Sequence, residues 1–219
     1  MEVQNTHFVY DGEKIIISPN LSVIASFLME IDAEIVKLLA KSPESVRANS
    51  VAIFSYWETL FCLFIAYEFQ TWDKNQIIGH SRNHKTRKTF YTKYLLNSEI
   101  EWNKLNSERL KHFTADQMIA LRNSLTHFFS LDKHIQLTHA SMDTEARDLE
   151  KQTDYQLKFL SPEDLYKMVG GAGILIITEW TKGYDLSLKD QSFAYKEKML
   201  CVNRLVHEHG AVVTGKVKS

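Results

Sequence analysis

The 219 residues are 44% hydrophobic and 24% charged, which is apolar material enough for one substantial core at the upper end of single-domain size. A formal net charge of -1 excludes a globally basic nucleic-acid binder while leaving room for a local basic groove. Three Pro and eight Gly are too few for a many-turned β-sandwich or a long disordered tail, and point to an all-α chain of long helices.

Residues 1–18 read as an extended arm. Phe8-Val9-Tyr10 and Ile15-Ile16-Ile17 flank Asp11-Gly12, a hairpin-type turn dipeptide, although one strand with a frayed end fits as well. The opening MEVQNTHFVYDGEK has no basic segment followed by an apolar one, so no secretory signal is expected and the cytoplasm is the expected location. The most apolar runs, Leu60–Tyr67 and Val169–Ile177, are far short of the roughly 20 residues of a membrane span, so none is expected.

From Leu21 to Leu39, Val23, Phe27, Ile31, Ile35 and Leu38 recur at helical spacing and predict a first core helix. Ser42-Pro43-Glu44 supplies an N-cap, a proline for the first helical position and an acid for the positive first turn, predicting a second helix to about Gln70. That helix is apolar nearly all round after Ala52, as a central rod would be, which leaves its interior Glu58 to be explained.

The run HSRNHKTRK at 80–88, followed by Phe90, Tyr91 and Tyr94, predicts a loop entering a short helix. Two readings stand side by side. Arg82, Lys85, Arg87 and Lys88, with His80 and His84, could contact phosphates while Tyr91 and Tyr94 stack on bases; or the loop is solvated and the aromatics pack inward. A modest helix is expected over 99–112, and Thr114-Ala115-Asp116 caps another that should run to about Leu131.

Residues 133–160, with a possible strand at His134–Thr138 and a charged stretch at Asp143–Lys151, read as an insertion. Ser161-Pro162-Glu163-Asp164 repeats the cap, proline and acid signal and opens a helix to about Lys182, in which Gly170, Gly171 and Gly173 permit close approach. A last helix is expected from about Leu188 to His209, ending at Gly210. The expected organisation is a single domain, with a helical core over 19–185, the arm at 1–18, the insertion at 133–160 and an additional helix within 186–219.

Cys62 and Cys201 sit in apolar helical runs without CxxC or Cys/His spacing and read as buried, reduced thiols. The chain has no HExxH and no paired Asp-x-Asp, and His207 and His209 point to different sides of a helix, so neither a metal nor another cofactor is expected.

At about 100° per residue, Met118, Leu121, Leu125 and Phe128 form one stripe of their helix, while Asn123 and His127 lie nearly opposite and Arg122 on the flank. Taken alone, this is a solvated polar face or one turned to a groove or partner. Glu58, set among Trp57, Leu60 and Phe61, would cost several kcal/mol unpaired, and Arg122 or His127 is its natural donor, whether for a structural ion pair or for a site.

The pattern Arg-Asn-x-x-x-His at Arg122–His127, within LRNSLTHFF, resembles the signature of the HEPN superfamily, and Ser55-x-x-Glu58 in the apolar second helix is similar to the acidic position found beside that pair. A second Arg-x4-His, Arg204 to His209, lacks the Asn and abuts Gly210. The resemblance spans about residues 20–185 in helix order and implies an up-and-down helical bundle that forms a homodimer, with the two motifs sharing a groove. It further implies a metal-independent endoribonuclease of toxin or phage-defence type, with RNA as substrate, an antitoxin as a possible further partner and 2′,3′-cyclic phosphate ends as product.

In that scheme His127 serves as base or acid, Arg122 holds phosphate oxygens, Asn123 orients His127 or binds phosphate, and Glu58 fixes Arg122 and His127. The alternatives are a noncatalytic HEPN-like module that binds nucleotide, RNA or a protein partner, and a helical oligomer in which these residues pair across an interface.

Overall fold

A computed structural model describes residues 6–10, 13–17, 19–125, 135–190 and 193–213. Among them the protein is an all-α helical bundle carrying two small two-stranded sheets. In chain order these are β1 (Thr6–Tyr10), β2 (Glu13–Ile17), α1 (Pro19–Lys41), α2 (Val46–Glu68), α3 (Lys74–Ser81), α4 (His84–Phe90) and a π-helical turn at Tyr91–Leu95. There follow α5 (Glu101–Leu105), α6 (Ser107–Leu110), α7 (Ala115–Asn123), β3 (Ile135–Leu137), α8 (Asp143–Gln152), β4 (Lys158–Leu160), α9 (Pro162–Asp190) and α10 (Phe193–Val213).

The arm takes the hairpin form. β1 and β2 pair antiparallel with Tyr10 opposite Glu13, and the two-residue connection at Asp11-Gly12 lies outside the described residues. The start of α2 is a correction to the sequence expectation, since Ser42 does not cap a helix. Its carbonyl accepts from the Ser45 amide at 3.0 Å and from Asn49 Nδ2 at 2.9 Å, which closes a turn and delays the helix to Val46. α2 is the one described helix long and apolar enough to cross a membrane, and most of it is buried within the protein, with Glu58 near its middle.

The chain divides into two compact units, one of residues 1–33, 59–86 and 173–219, the other of residues 34–58 and 87–172, with the division falling inside α1, α2, α4 and α9. In the first, Tyr67 stacks on Trp180 with ring centroids 5.0 Å apart, and the Tyr195 hydroxyl donates to the Trp180 carbonyl at 2.7 Å. α9 runs to Asp190 and α10 continues through Gly210 to Val213, so neither ends where residue type suggested. A helical glycine costs only about 1 kcal/mol, which neighbouring turns can absorb.

In the second unit, fully buried Trp57 stacks on Phe90 at 4.4 Å and meets Tyr91 edge-on at 5.2 Å. Of the segment expected as an insertion, residues 135–160 are described. They contribute a parallel β3–β4 pair and, on α8, Glu150, which is 1% exposed. Glu150 takes Arg109 of α6 in a fork, Nε at 2.7 Å and Nη2 at 3.0 Å, while Arg109 Nη1 lies 3.2 Å from Asp164 on α9. The remaining acceptors are filled by the Phe159 amide on Glu150 at 2.7 Å and by Trp102 Nε1 on Asp164 at 2.9 Å. Burial works against the Arg109 charge, but the hydrogen bond and charge of Glu150, with Asp164 behind it, more than offset it and raise the pKa above the ordinary value.

The close approach expected of the glycines on α9 is found at Gly171, where a Cβ would stand 2.5 Å from Ile100 Cγ2. Because an isoleucine is stiff at χ1, Gly171→Ala should destabilise the protein by about 1–3 kcal/mol in urea unfolding. Adding Ile100→Ala should make the second change cheaper than it is alone, a coupling that a double-mutant cycle would measure.

Candidate functional site

Residues of the second unit, carried on three helices, make up the candidate site, and each helix presents its side chain for a local reason. α7 begins with a full capping box: the Thr114 hydroxyl accepts from the Gln117 amide and the Gln117 side chain accepts from the Thr114 amide. That start sets the phase of the helix. Met118, Leu121 and Leu125 are then buried at 0%, 1% and 1% exposure, as the stripe on the helical wheel required, and Arg122 and Asn123 fall on the partly exposed flank. The helix ends at Asn123, where the chain enters a π-type turn at Ser124 and Leu125. His127 and Phe128 lie outside the described residues.

α2 presents Glu58 directly after Trp57, whose indole stacks on Phe90. Glu58 Oε2 lies 3.1 Å from Arg122 Nη2, the partnership that a carboxylate in an apolar helix demands. Its other oxygen, Oε1, accepts from Arg87 Nη1 of α4. Arg122 Nη1 in turn donates to Asn123 Oδ1 at 3.0 Å. One carboxylate therefore bridges two guanidiniums, and Asn123 braces the second of them.

Exposure distinguishes this cluster from that of Arg109. The side chains of Arg87, Arg122 and Glu58 keep 13%, 16% and 21% of their surface, so the cluster is partly desolvated and still touches solvent. Burial works against the Arg87 charge, but the Glu58 hydrogen bond and charge outweigh it, and its pKa rises above the ordinary value. Tyr91 stands beneath the cluster, 0% exposed. Burial raises the pKa of its phenol strongly and the charge of Glu58 adds to the rise, against opposition from Arg87 and Arg122. The Tyr91 hydroxyl has no partner with hydrogen-bond geometry among the described residues, although Arg87 is beside it.

The basic segment 80–88 is not the loop that its composition suggested. His80 and Ser81 end α3, Arg82 and Asn83 make a two-residue turn and 84–88 lie in the short α4, and the members of the segment separate. Arg82 and Lys85 are exposed, Lys88 makes a surface pair with Asp116, and Arg87 turns inward to Glu58. His80 stacks on Phe69 at 3.8 Å. Tyr91 and Tyr94 are 0% and 1% exposed, so they pack in the core and cannot serve as base-stacking platforms. The π-helical turn that carries them, closed by the Leu96 amide on the Tyr91 carbonyl at 3.1 Å, aims Tyr91, Tyr94 and Leu95 inward together.

Ser55, matched to the motif beside Glu58, is exposed, and its hydroxyl bonds back to the Val51 carbonyl at 2.9 Å. The second Arg-x4-His behaves differently from the first. Arg204 covers the Trp72 ring at 4.2 Å and pairs with Glu208 at 2.8 Å on its own helix. Cys201 is buried, which raises its thiol pKa, whereas Cys62 is only half-buried, contrary to the expectation that both are enclosed.

Sequence reasoning missed the role of Arg87, since a run of cations gives no sign of which one turns inward. A signal was present in its spacing: Arg87 precedes Phe90 and Tyr91 by three and four residues, so it shares a helix face with aromatics that are buried. Comparison of the chain with protein-family models, with curated proteins and with solved structures finds no match.

Removing Glu58 leaves two guanidiniums facing each other, so Glu58→Ala should cost about 2 kcal/mol in urea unfolding, below the figure for a fully buried pair because the group is partly exposed. Tyr91→Phe removes a buried hydroxyl beside Arg87 and should leave stability within about 1 kcal/mol of wild type. A larger loss on Tyr91→Phe would show that the hydroxyl is bonded in solution.

Proposed function

We propose that the Arg122 cluster is the site of a HEPN-type, metal-independent endoribonuclease of toxin or phage-defence kind, working as a homodimer on RNA. The observation that carries the reading is the anchored guanidinium: Arg122 is held by Glu58 at 3.1 Å and by Asn123 at 3.0 Å within the Arg-Asn-x-x-x-His segment. A guanidinium fixed before substrate arrives stabilises developing negative charge without reorganising, and its planar fork matches two phosphate oxygens.

Cleavage proceeds by attack of the ribose 2′-oxygen on phosphorus and departure of the 5′-oxygen, leaving a 2′,3′-cyclic phosphate and a 5′-hydroxyl. The 2′-OH proton goes to a base and the leaving oxygen takes one from an acid, and imidazole titrates in the range that suits both tasks. His127 is the residue for these steps, and a dimer provides two copies. Glu58, engaged on both oxygens by arginines, positions Arg122 and takes no part in proton transfer. The exposed cations Arg82, Lys85 and Lys88 are available for backbone contacts, since a surface pair such as Lys88–Asp116 contributes little and exchanges readily.

A noncatalytic module that binds nucleotide, RNA or a partner is the second reading, and the bridging of Glu58 favours it to this extent: the ion pair serves to hold Arg122 whether or not a reaction follows.

Incubation of the purified protein with mixed-sequence RNA and a chelator should yield fragments with 2′,3′-cyclic phosphate ends. His127→Ala should remove the activity with an unchanged unfolding curve. RNA binding without turnover, weakened by Arg122→Ala, would select the noncatalytic module instead.

A further inference from the structure

We propose that Arg87 is a positioning residue for Arg122, acting through the two oxygens of Glu58 rather than by contact with RNA; the proposal rests on the assignment of Arg122 as the phosphate-holding residue. A glutamate carboxylate on a helix can rotate about its last side-chain bond, and one guanidinium on one oxygen does not stop that rotation. Here Arg87 Nη1 holds Oε1 while Arg122 Nη2 meets Oε2 at 3.1 Å, so the plane of the carboxylate is pinned at both ends and the Arg122 fork inherits its orientation.

Arg87 is itself fixed. It lies on α4 one turn before Phe90 and Tyr91, both fully buried, and Phe90 stacks on Trp57, the residue before Glu58. Helices α2 and α4 are thus joined side by side through an aromatic contact at 57 and an ionic one at 58. The Arg87 side chain is 13% exposed, and burial opposes its charge, so the fold keeps a cation in a costly place against Glu58. A residue whose task was to meet a nucleic-acid backbone would be expected outside, as Arg82 and Lys85 are.

The test uses the full chain, with Arg87→Gln, Arg87→Lys, Glu58→Gln and the double variant Arg87→Gln/Glu58→Gln. For RNA cleavage, Arg87→Gln should lower kcat by about 100-fold, the scale of a misplacement of roughly 1 Å, with KM changed less than about 3-fold. Arg87→Lys restores a cation to Glu58 and should recover most of kcat. Once Glu58 is Gln, losing Arg87 should cost nothing further, because the path between the arginines is already cut.

A second readout does not require cleavage. The Arg122 side-chain Nε–Hε signal, assigned by its loss in Arg122→Lys, should be a single resonance with slow solvent exchange in wild type and should broaden or exchange faster in Arg87→Gln and Glu58→Gln alike. If wild type cleaves no RNA, the ribonuclease assignment fails and this signal alone decides the positioning role. An unchanged Arg122 signal in folded Arg87→Gln overturns the proposal. A KM that rises with kcat unchanged overturns it too, and makes Arg87 a substrate contact. A loss of cleavage in Arg87→Gln that matches its loss of folded protein, with full activity per folded molecule, reduces Arg87 to a structural residue and overturns it as well.

Discussion

A single carboxylate in the middle of an apolar helix governs the arrangement around the site. Glu58 follows Trp57 and precedes Leu60 and Phe61, all buried, and a charge in that company cannot be left without donors. The donors come from two other helices, Arg87 from α4 and Arg122 from α7, and satisfying both oxygens of Glu58 sets how α2, α4 and α7 meet. The aromatic contact of Trp57 with Phe90 lies one residue along from the ionic one, so the register of α2 against α4 is specified twice, by ring stacking and by charge. Hydrophobic packing alone would tolerate small slides between helices, whereas a pinned carboxylate does not.

The cluster of Arg109, Glu150 and Asp164 obeys the same rule with a different outcome. Its side chains are 7%, 1% and 6% exposed, and the oxygens of both acids are filled by the Arg109 fork, the Phe159 amide and the Trp102 indole. Such a network closes a fold by tying α6, α8 and α9 together and has nothing left to offer a ligand. The Glu58 cluster keeps 13–21% of its side-chain surface exposed. Both are ion pairs withdrawn from solvent, and they differ in how much exposure remains.

Much of the fold is legible along the chain, because the long helices follow from spacing and from caps. The run from Val23 to Leu38 marks α1, Thr114 with Gln117 starts α7, and Ser161 accepts from the Asp164 amide at 3.1 Å to start α9. Signals of the same kind misplace the start of α2, where the Ser42 carbonyl is claimed by Asn49, seven residues on. They also fail at Gly210, which α10 passes through, and they give no sign that Glu150 on α8 pairs with a buried arginine 41 positions away. Local preferences are worth about 1 kcal/mol each, and a tertiary hydrogen bond or ion pair in a buried setting exceeds that.

By itself the sequence determined the helical class, the phase of α7 that puts Met118, Leu121 and Leu125 inside and Arg122 on the flank, and the need of Glu58 for a cationic partner, since periodicity and desolvation are properties of the chain alone. The tertiary structure alone decided which cations answer that need. Among the six basic and histidine residues at 80–88, the one sharing a face with Phe90 and Tyr91 turns to Glu58, and the tyrosines that composition offered to nucleic-acid bases go to the core. Charge and aromaticity state what a residue can bind, but burial assigns the partner, and burial depends on contacts between segments that the order of residues along the chain does not display.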